Sequence, residues 1–350
     1  MSQPRLRRLI VPALTVATAC LAVAAARDRQ EPPGNSPTTR AATTPTTPAG
    51  GNSFTPGRPA FDVGAAHEVG VEFGPRGLPM VRATLNGHDL PPFVFDTGAG
   101  AMVITPAAAD SAGLRAGGRI DAAGTGGTVQ RPTRTGGTFV LGPLSLTDCT
   151  WLELPELDGP FAALAFGGPV AGIVGRDVFL AGLVDMDWAN QRIVLHPKDA
   201  PPPALPPGVQ WTPFEWVNDL PTVRCRYEGD REGLFMLDTG HNGGVSFEGA
   251  AVERHKLLDG RKTAGGNLAG VGGAGRTANG TLAWFELGGV RHENVPASFA
   301  TQARPGGPAR DGLIGMALLR RYRILLDAPN QRVAFIPAEP SAAPTTAPAR

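Results

Sequence analysis

Two stretches of the chain, Phe93-Val94-Phe95-Asp96-Thr97-Gly98-Ala99 and Leu234-Phe235-Met236-Leu237-Asp238-Thr239-Gly240-His241, carry the same Asp-Thr-Gly triplet behind a short apolar run. Their aspartates lie 142 residues apart. Further along each half comes a second matching element, Gly172-Ile173-Val174-Gly175 and Gly312-Leu313-Ile314-Gly315, offset by 140 residues. The endings match with the same offset of 140: Asp187-Trp188-Ala189-Asn190-Gln191-Arg192 and Asp327-Ala328-Pro329-Asn330-Gln331-Arg332. Three correspondences that keep both order and spacing mark a duplicated unit.

The pattern around these elements is mainly β. Alternation over residues 81–85 ahead of Asn86-Gly87 predicts a strand and a tight turn, mirrored by residues 223–227 ahead of Glu228-Gly229. The apolar runs before each triplet, residues 193–195 and residues 323–326 also read as strands, and residues 324–336 as a hairpin. Helical stretches are short: residues 105–112, 250–258 and 317–322. Scattered short strands with Gly-rich turns favour an all-β body over βαβ units.

The 350 residues hold 42% hydrophobic side chains, 47 Gly and 35 Pro, with a net charge of +1. A polycationic nucleic-acid binder is excluded by that balance and by the lack of a long basic run. Three Cys are too few for a disulfide-dense scaffold or a Cys-only four-ligand zinc site, and the six His show no His-Glu-x-x-His spacing. No metal or organic cofactor is expected.

Arg5, Arg7 and Arg8 precede an apolar stretch ending in Ala24-Ala25-Ala26, so residues 1–26 read as an export signal or a membrane anchor, with Cys20 as a weaker lipid-attachment alternative. The expected location is exported: periplasmic, secreted, or tethered to the outer face of the cytoplasmic membrane. Residues 27–60, rich in Thr and Pro, lack the apolar side chains to offset the entropy of ordering and read as a linker. Two lobes follow at 61–200 and 211–337, with a Pro-rich link at 201–210 and a disordered tail at 338–350.

An apolar strand leading into Asp-Thr-Gly holds the carboxylate still, while Thr can bond a partner backbone and Gly admits close approach. If two such loops face each other, their carboxylates cannot both ionise easily and share one proton. The ionised member then takes a proton from water, and the protonated one donates toward a carbonyl oxygen. The bland alternative is a duplicated β protein whose aspartates merely cap turns, or a binding protein without activity.

On these motifs the chain resembles the aspartic proteases, over roughly residues 70–198 and 215–337, in the form of a bacterial fused pair of retroviral-type lobes. The resemblance implies a duplicated bilobal acid-protease fold with an interlobe cleft, and an aspartic endopeptidase acting on a peptide or protein substrate. It makes Asp96 and Asp238 catalytic, with Thr97, Gly98, Ala99, Thr239, Gly240 and His241 as loop support. It places Ile173, Val174 and Gly175, and Leu313, Ile314 and Gly315, in the lobe cores. It also offers Gly124, Thr125, Gly126 and Gly127, and Gly270, Val271, Gly272 and Gly273, as flaps. Fused lobes make dimerisation unnecessary for assembling the pair. Nucleic acid is not an expected partner, and membrane attachment would run through the N-terminal segment.

One position departs from the family pattern. Ser, Thr or Ala is usual after the second triplet, and this chain has His241. An imidazole there could bind a substrate carboxylate, alter the shared-proton pKa, face solvent, or abolish proteolysis. Cys149 and Cys225 fall in different halves and are read as either paired or separate. The tryptophans read as packing residues, and Asp187 and Asp327 as turn-forming.

Overall fold

The computed structural model describes residues 55–338 except 66, 125–126, 271–272, 304–306 and 308, together with 14–16 and 22–23. Each apolar run before an Asp-Thr-Gly is a strand enclosed between other strands, which is why it is apolar at every position rather than at alternate ones. Phe93–Phe95 pairs in parallel with Gly172–Val174 and antiparallel with Pro79–Val81. Gly172–Val174 also pairs antiparallel with Met102–Ile104. The second half repeats the arrangement: Arg231–Leu237 lies parallel to Gly312–Ile314, which pairs antiparallel with Val245–Phe247. The Gly-apolar-apolar-Gly elements are thus the strands between the two arms of each Asp-Thr-Gly loop, and Ile173, Val174, Leu313 and Ile314 are buried there.

The lobes join edge to edge. Gly182–Asp187 pairs antiparallel with Tyr322–Asp327, and the middle of that register sets Asp185 opposite Leu325. These two residues are separated by the repeat offset of 140, so the local two-fold axis relating the halves passes between them. Outside them lie Arg192–Pro197 and Arg332–Pro337, each forming a hairpin with its neighbour. Asp187 and Asp327 close those hairpins as expected. Asp187 accepts from Asn190 and Arg192, and Asp327 from Asn330 and Arg332, while Gln191 and Gln331 take left-handed backbone angles of 52° and 50°.

Around this frame the molecule is β throughout, with helices of one or two turns. The expected helices occur as Pro106–Ser111, Gly249–His255 and Met316–Leu319. The first is capped by Thr105, which accepts from the Ala108 amide. The fold is the bilobal all-β one that the repeat predicted.

Some expectations need correction. The run at 81–85 is not one strand: Pro79–Val81 and Thr84–Leu85 belong to different sheets, because the chain leaves the sheet that leads into Asp96 after Val81 to pair with Thr138–Leu141. The linker boundary at 60 falls inside the strand Arg58–Phe61, which pairs with Leu144–Thr147. Cys149 and Cys225 are both free, buried thiols, each sealed into apolar surroundings that push its ionisation upward. Most of residues 1–54 and 339–350 lies outside the described residues, including most of the leader and tail. Two leader fragments are described as short strands: Leu14–Val16 runs parallel to residues 267–269, and Ala22–Val23 antiparallel to residues 122–123. Among the described residues no helix is long and apolar enough to cross a membrane.

Beside the two-fold axis, the buried carboxylate of Asp185 takes two bonds from Arg323, at 2.8 and 2.6 Å. Removing the guanidinium leaves that carboxylate buried without its cation. Arg323→Met should therefore cost about 2 kcal/mol in a denaturant titration, discounted for the partial exposure of the arginine. The same change at Arg82, whose pair with Glu72 is exposed, should cost under ~0.5 kcal/mol.

Candidate active site

The two Asp-Thr-Gly loops meet at the lobe junction and are bonded to one another through their threonines. Thr97 Oγ1 donates to the Leu237 carbonyl at 2.8 Å and accepts from the Thr239 amide at 3.1 Å. Thr239 Oγ1 donates to the Phe95 carbonyl at 2.7 Å and accepts from the Thr97 amide at 3.0 Å. Each hydroxyl uses its donor and one acceptor site, in a fully buried setting. The aspartate backbones are anchored symmetrically as well: the Asp96 amide donates to the Val174 carbonyl and the Asp238 amide to the Ile314 carbonyl, both at 3.0 Å.

Gly98 and Gly240 stand where each loop passes the opposite carboxyl. A methyl group on Gly98 would lie 2.7 Å from Asp238 Cγ, and one on Gly240 would overlap the Asp96 carboxyl. No other residue admits that approach. Both carboxyl groups are fully buried. Burial, and next the adjacent charge of Asp238, raise the Asp96 pKa well above the usual carboxylate value of 3.8. Bonds from the Gly98 and Gly240 amides oppose this without cancelling it. Asp96 Oδ1 accepts from Gly98 at 2.7 Å, while Oδ2 receives no protein donor of sound geometry. A proton held jointly with Asp238 would satisfy it.

The described glycines among the candidate flap residues, Gly124, Gly127, Gly270 and Gly273, close two hairpins. Arg115–Gly124 pairs with Gly127–Thr135, and Ala264–Gly270 with Gly273–Leu287, down to the closing pairs Gly124 with Gly127 and Gly270 with Gly273. Gly127 and Gly273 both have φ of +124°, outside the reach of ordinary side chains. Thr125, Gly126, Val271 and Gly272 lie outside the described residues. Among the described residues no group of three or more His, Cys, Asp or Glu could hold a metal.

The sequence model of the aspartyl protease family matches residues 81–178 and 223–318, more than half of the chain and one match in each lobe. The chain belongs to the aspartyl protease family. A search of curated proteins finds no match.

Beside the second Asp-Thr-Gly loop this member of the aspartyl protease family departs from the first lobe. His241 does not face solvent: it is fully buried, and Nε2 lies 3.0 Å from Ser246 Oγ, which is 2.6 Å from Ser298 Oγ. Burial lowers its pKa to about 4, so it is neutral over most of the pH range and carries no charge for a substrate carboxylate. Strand register locates the counterparts. Ser246 pairs with Leu313 as Val103 pairs with Ile173, and Ser298 pairs with Ser246 as Leu152 pairs with Val103. The trio His241, Ser246 and Ser298 therefore replaces Ala99, Val103 and Leu152, which share one apolar cluster in the first lobe. His241 stood out in the sequence, but the serines did not. Their signal was a hydroxyl in the middle of each buried strand segment, Val245-Ser246-Phe247 and Ala297-Ser298-Phe299.

Two stability signatures follow from the shifted groups. Asp96 binds its proton more tightly when folded, so its contribution to stability falls as pH rises from 3.8 through the folded value. Asp96→Asn should melt above wild type at pH 7, with the gap narrowing toward pH 4. His241 has the opposite sign: the unfolded state takes up a proton below about 6.5, the folded state only near 4, so stability drops as pH falls through that window. On the order of 3 kcal/mol should be lost between those limits through this group, and His241→Gln should flatten that part of the stability profile.

Proposed function

We propose that this protein is an aspartic endopeptidase that hydrolyses peptide bonds with water activated by Asp96 and Asp238. The observation that carries the reading is the mutual approach of two buried carboxyls, each against the glycine of the opposite loop, with the pKa of Asp96 raised. In such a pair the ionised member accepts a proton from water, whose oxygen attacks the peptide carbonyl carbon. The protonated member donates to the carbonyl oxygen. The tetrahedral adduct then collapses as the C–N bond breaks: the leaving nitrogen takes the proton from one acid, a hydroxyl of the adduct gives its proton to the other as the carbonyl re-forms, and the pair is singly protonated again. The threonine bonds hold both acids in place, so little reorganisation is required as charge moves.

An extended peptide as substrate is supported by the hairpins. The chain's own residues 14–16 and 22–23 add to them as edge strands, one on each hairpin. That is backbone-directed strand addition, which any peptide able to extend can imitate. Residues 1–26 are proposed as the export segment that places this activity outside the cytoplasm. A non-catalytic binding protein was the competing reading, resting on His241, but that imidazole is bonded to Ser246.

The test is cleavage of a diverse peptide library by protein lacking residues 1–54, across a pH series. Wild type should cut, and Asp96→Asn or Asp238→Asn should each lower kcat/KM by about 10³-fold or more. Activity should fall with rising pH in one step above 3.8, as the pair loses its shared proton. Peptide binding without cleavage at any pH, or cleavage that survives both substitutions, contradicts the assignment.

Thr97→Val and Thr239→Val each remove a hydroxyl that serves both loops. Each should cost about 1–3 kcal/mol of stability and lower kcat more than it changes KM, read by denaturation and steady-state kinetics.

A further inference from the structure

Beside the second Asp-Thr-Gly loop lies a cavity of about 230 Å³ whose lining includes Ser246, Ser298, Leu313, Arg276, Thr277 and Arg310. Its floor is the sheet that carries Asp238: Leu313 is paired with Met236, two residues before the aspartate, and Ser246 is bonded to His241, three residues after it. Residues 274–277, from the flap-hairpin strand Gly273–Leu287, form another wall. The cavity therefore sits between flap and catalytic loop, where a side chain of a bound peptide would enter.

Arg310 is the unusual member. Its side chain is only 3% exposed, and Nη2 reaches Glu248 at 3.3 Å. Its Nε and Nη1 are buried with no partner among the described residues. A buried guanidinium with unmet N–H groups is costly unless an acceptor arrives. The repeat sharpens the point. The Asp311 amide bonds the Leu234 carbonyl as the Ala171 amide bonds the Pro92 carbonyl, which makes Val170 the counterpart of Arg310. Val170 is buried in the same apolar cluster as Ala99, Val103 and Leu152. Four apolar positions of the first lobe are thus His241, Ser246, Ser298 and Arg310 in the second. Two guanidiniums against the single carboxylate of Glu248 leave the cavity with a net positive charge.

We propose that this cavity is a specificity pocket for an acidic side chain, Asp or Glu, of the substrate peptide, with Arg310 as the group that binds its carboxylate. This rests on the endopeptidase reading for its catalytic consequence, and on the cavity alone for its binding consequence. The serines supply further hydroxyls, and neutral His241 positions Ser246 rather than binding the acid itself. The corresponding place in the first lobe is apolar, so the two sides of the cleft differ in what they accept.

Two measurements separate the claims. Binding is measured by calorimetry on Asp96→Asn protein, using peptides that carry Glu, Gln or Leu at each position in turn, with free and amidated C-termini. At one position Glu should bind at least tenfold more tightly than its isostere Gln, irrespective of the C-terminus. Arg310→Met in that background should bring the ratio to about one, and Arg310→Lys should restore part of it. In active protein the same position should show the same Glu-over-Gln preference in kcat/KM. Equal binding of Glu and Gln at every position overturns the pocket, even if peptides are cut and whether or not Arg310→Met folds. A preference that follows only the free C-terminus overturns the side-chain assignment. Glu-selective binding, lost in Arg310→Met, with no cleavage by wild type would uphold the pocket and remove the endopeptidase reading.

Discussion

Two threonine hydroxyls, each bonded to the carbonyl that precedes the opposite aspartate, hold the two halves of this protein in register. Thr97 reaches the Leu237 carbonyl and Thr239 reaches the Phe95 carbonyl, and each also accepts the other's amide. These four bonds form one closed, buried exchange across the two-fold axis, and none can be kept if either loop shifts. Everything at the site inherits its symmetry: the strands that anchor the aspartate amides, the glycines that admit the opposite carboxyl, and the interlobe sheet whose register is centred on Asp185 and Leu325.

That constraint has an energetic consequence. Holding two acids together in a dry interior opposes their ionisation, so folding is favoured least where both would be charged. The surrounding structure must over-determine the loops to tolerate this, and it does so with fully enclosed apolar strands and aromatic packing such as Phe235 against Phe247 and Phe285. The lobes then diverge where symmetry is not required, in the walls on either side of the pair.

The repeat, the all-β character and the two aspartates were legible because they rest on strings that recur at a fixed offset. Turns closed by Asp187 and Asp327 were legible for the same reason. The His241 surroundings were not: whether an imidazole faces water or a neighbouring serine depends on strand pairing that spans more than fifty residues, Ser246 to Ser298. Arg310 was missed because an arginine in a Gly- and Pro-rich stretch reads as surface charge. The offset of 140 sets it at the position of Val170, but that its side chain stays buried there shows only in the structure. The split of the run at 81–85 was hidden because alternation marks a strand's faces but not the sheet that each segment joins.

The proposed chemistry requires a single proton to be held between Asp96 and Asp238. Carbon-13 NMR of aspartate-labelled protein, followed across pH with Asp96→Asn and Asp238→Asn used for assignment, observes that proton's effect on both carboxyls directly. The account predicts that the two resonances move together in two steps, the second well above pH 3.8. Two carboxyls that titrate independently near the ordinary value, each unaffected by loss of the other, would contradict it.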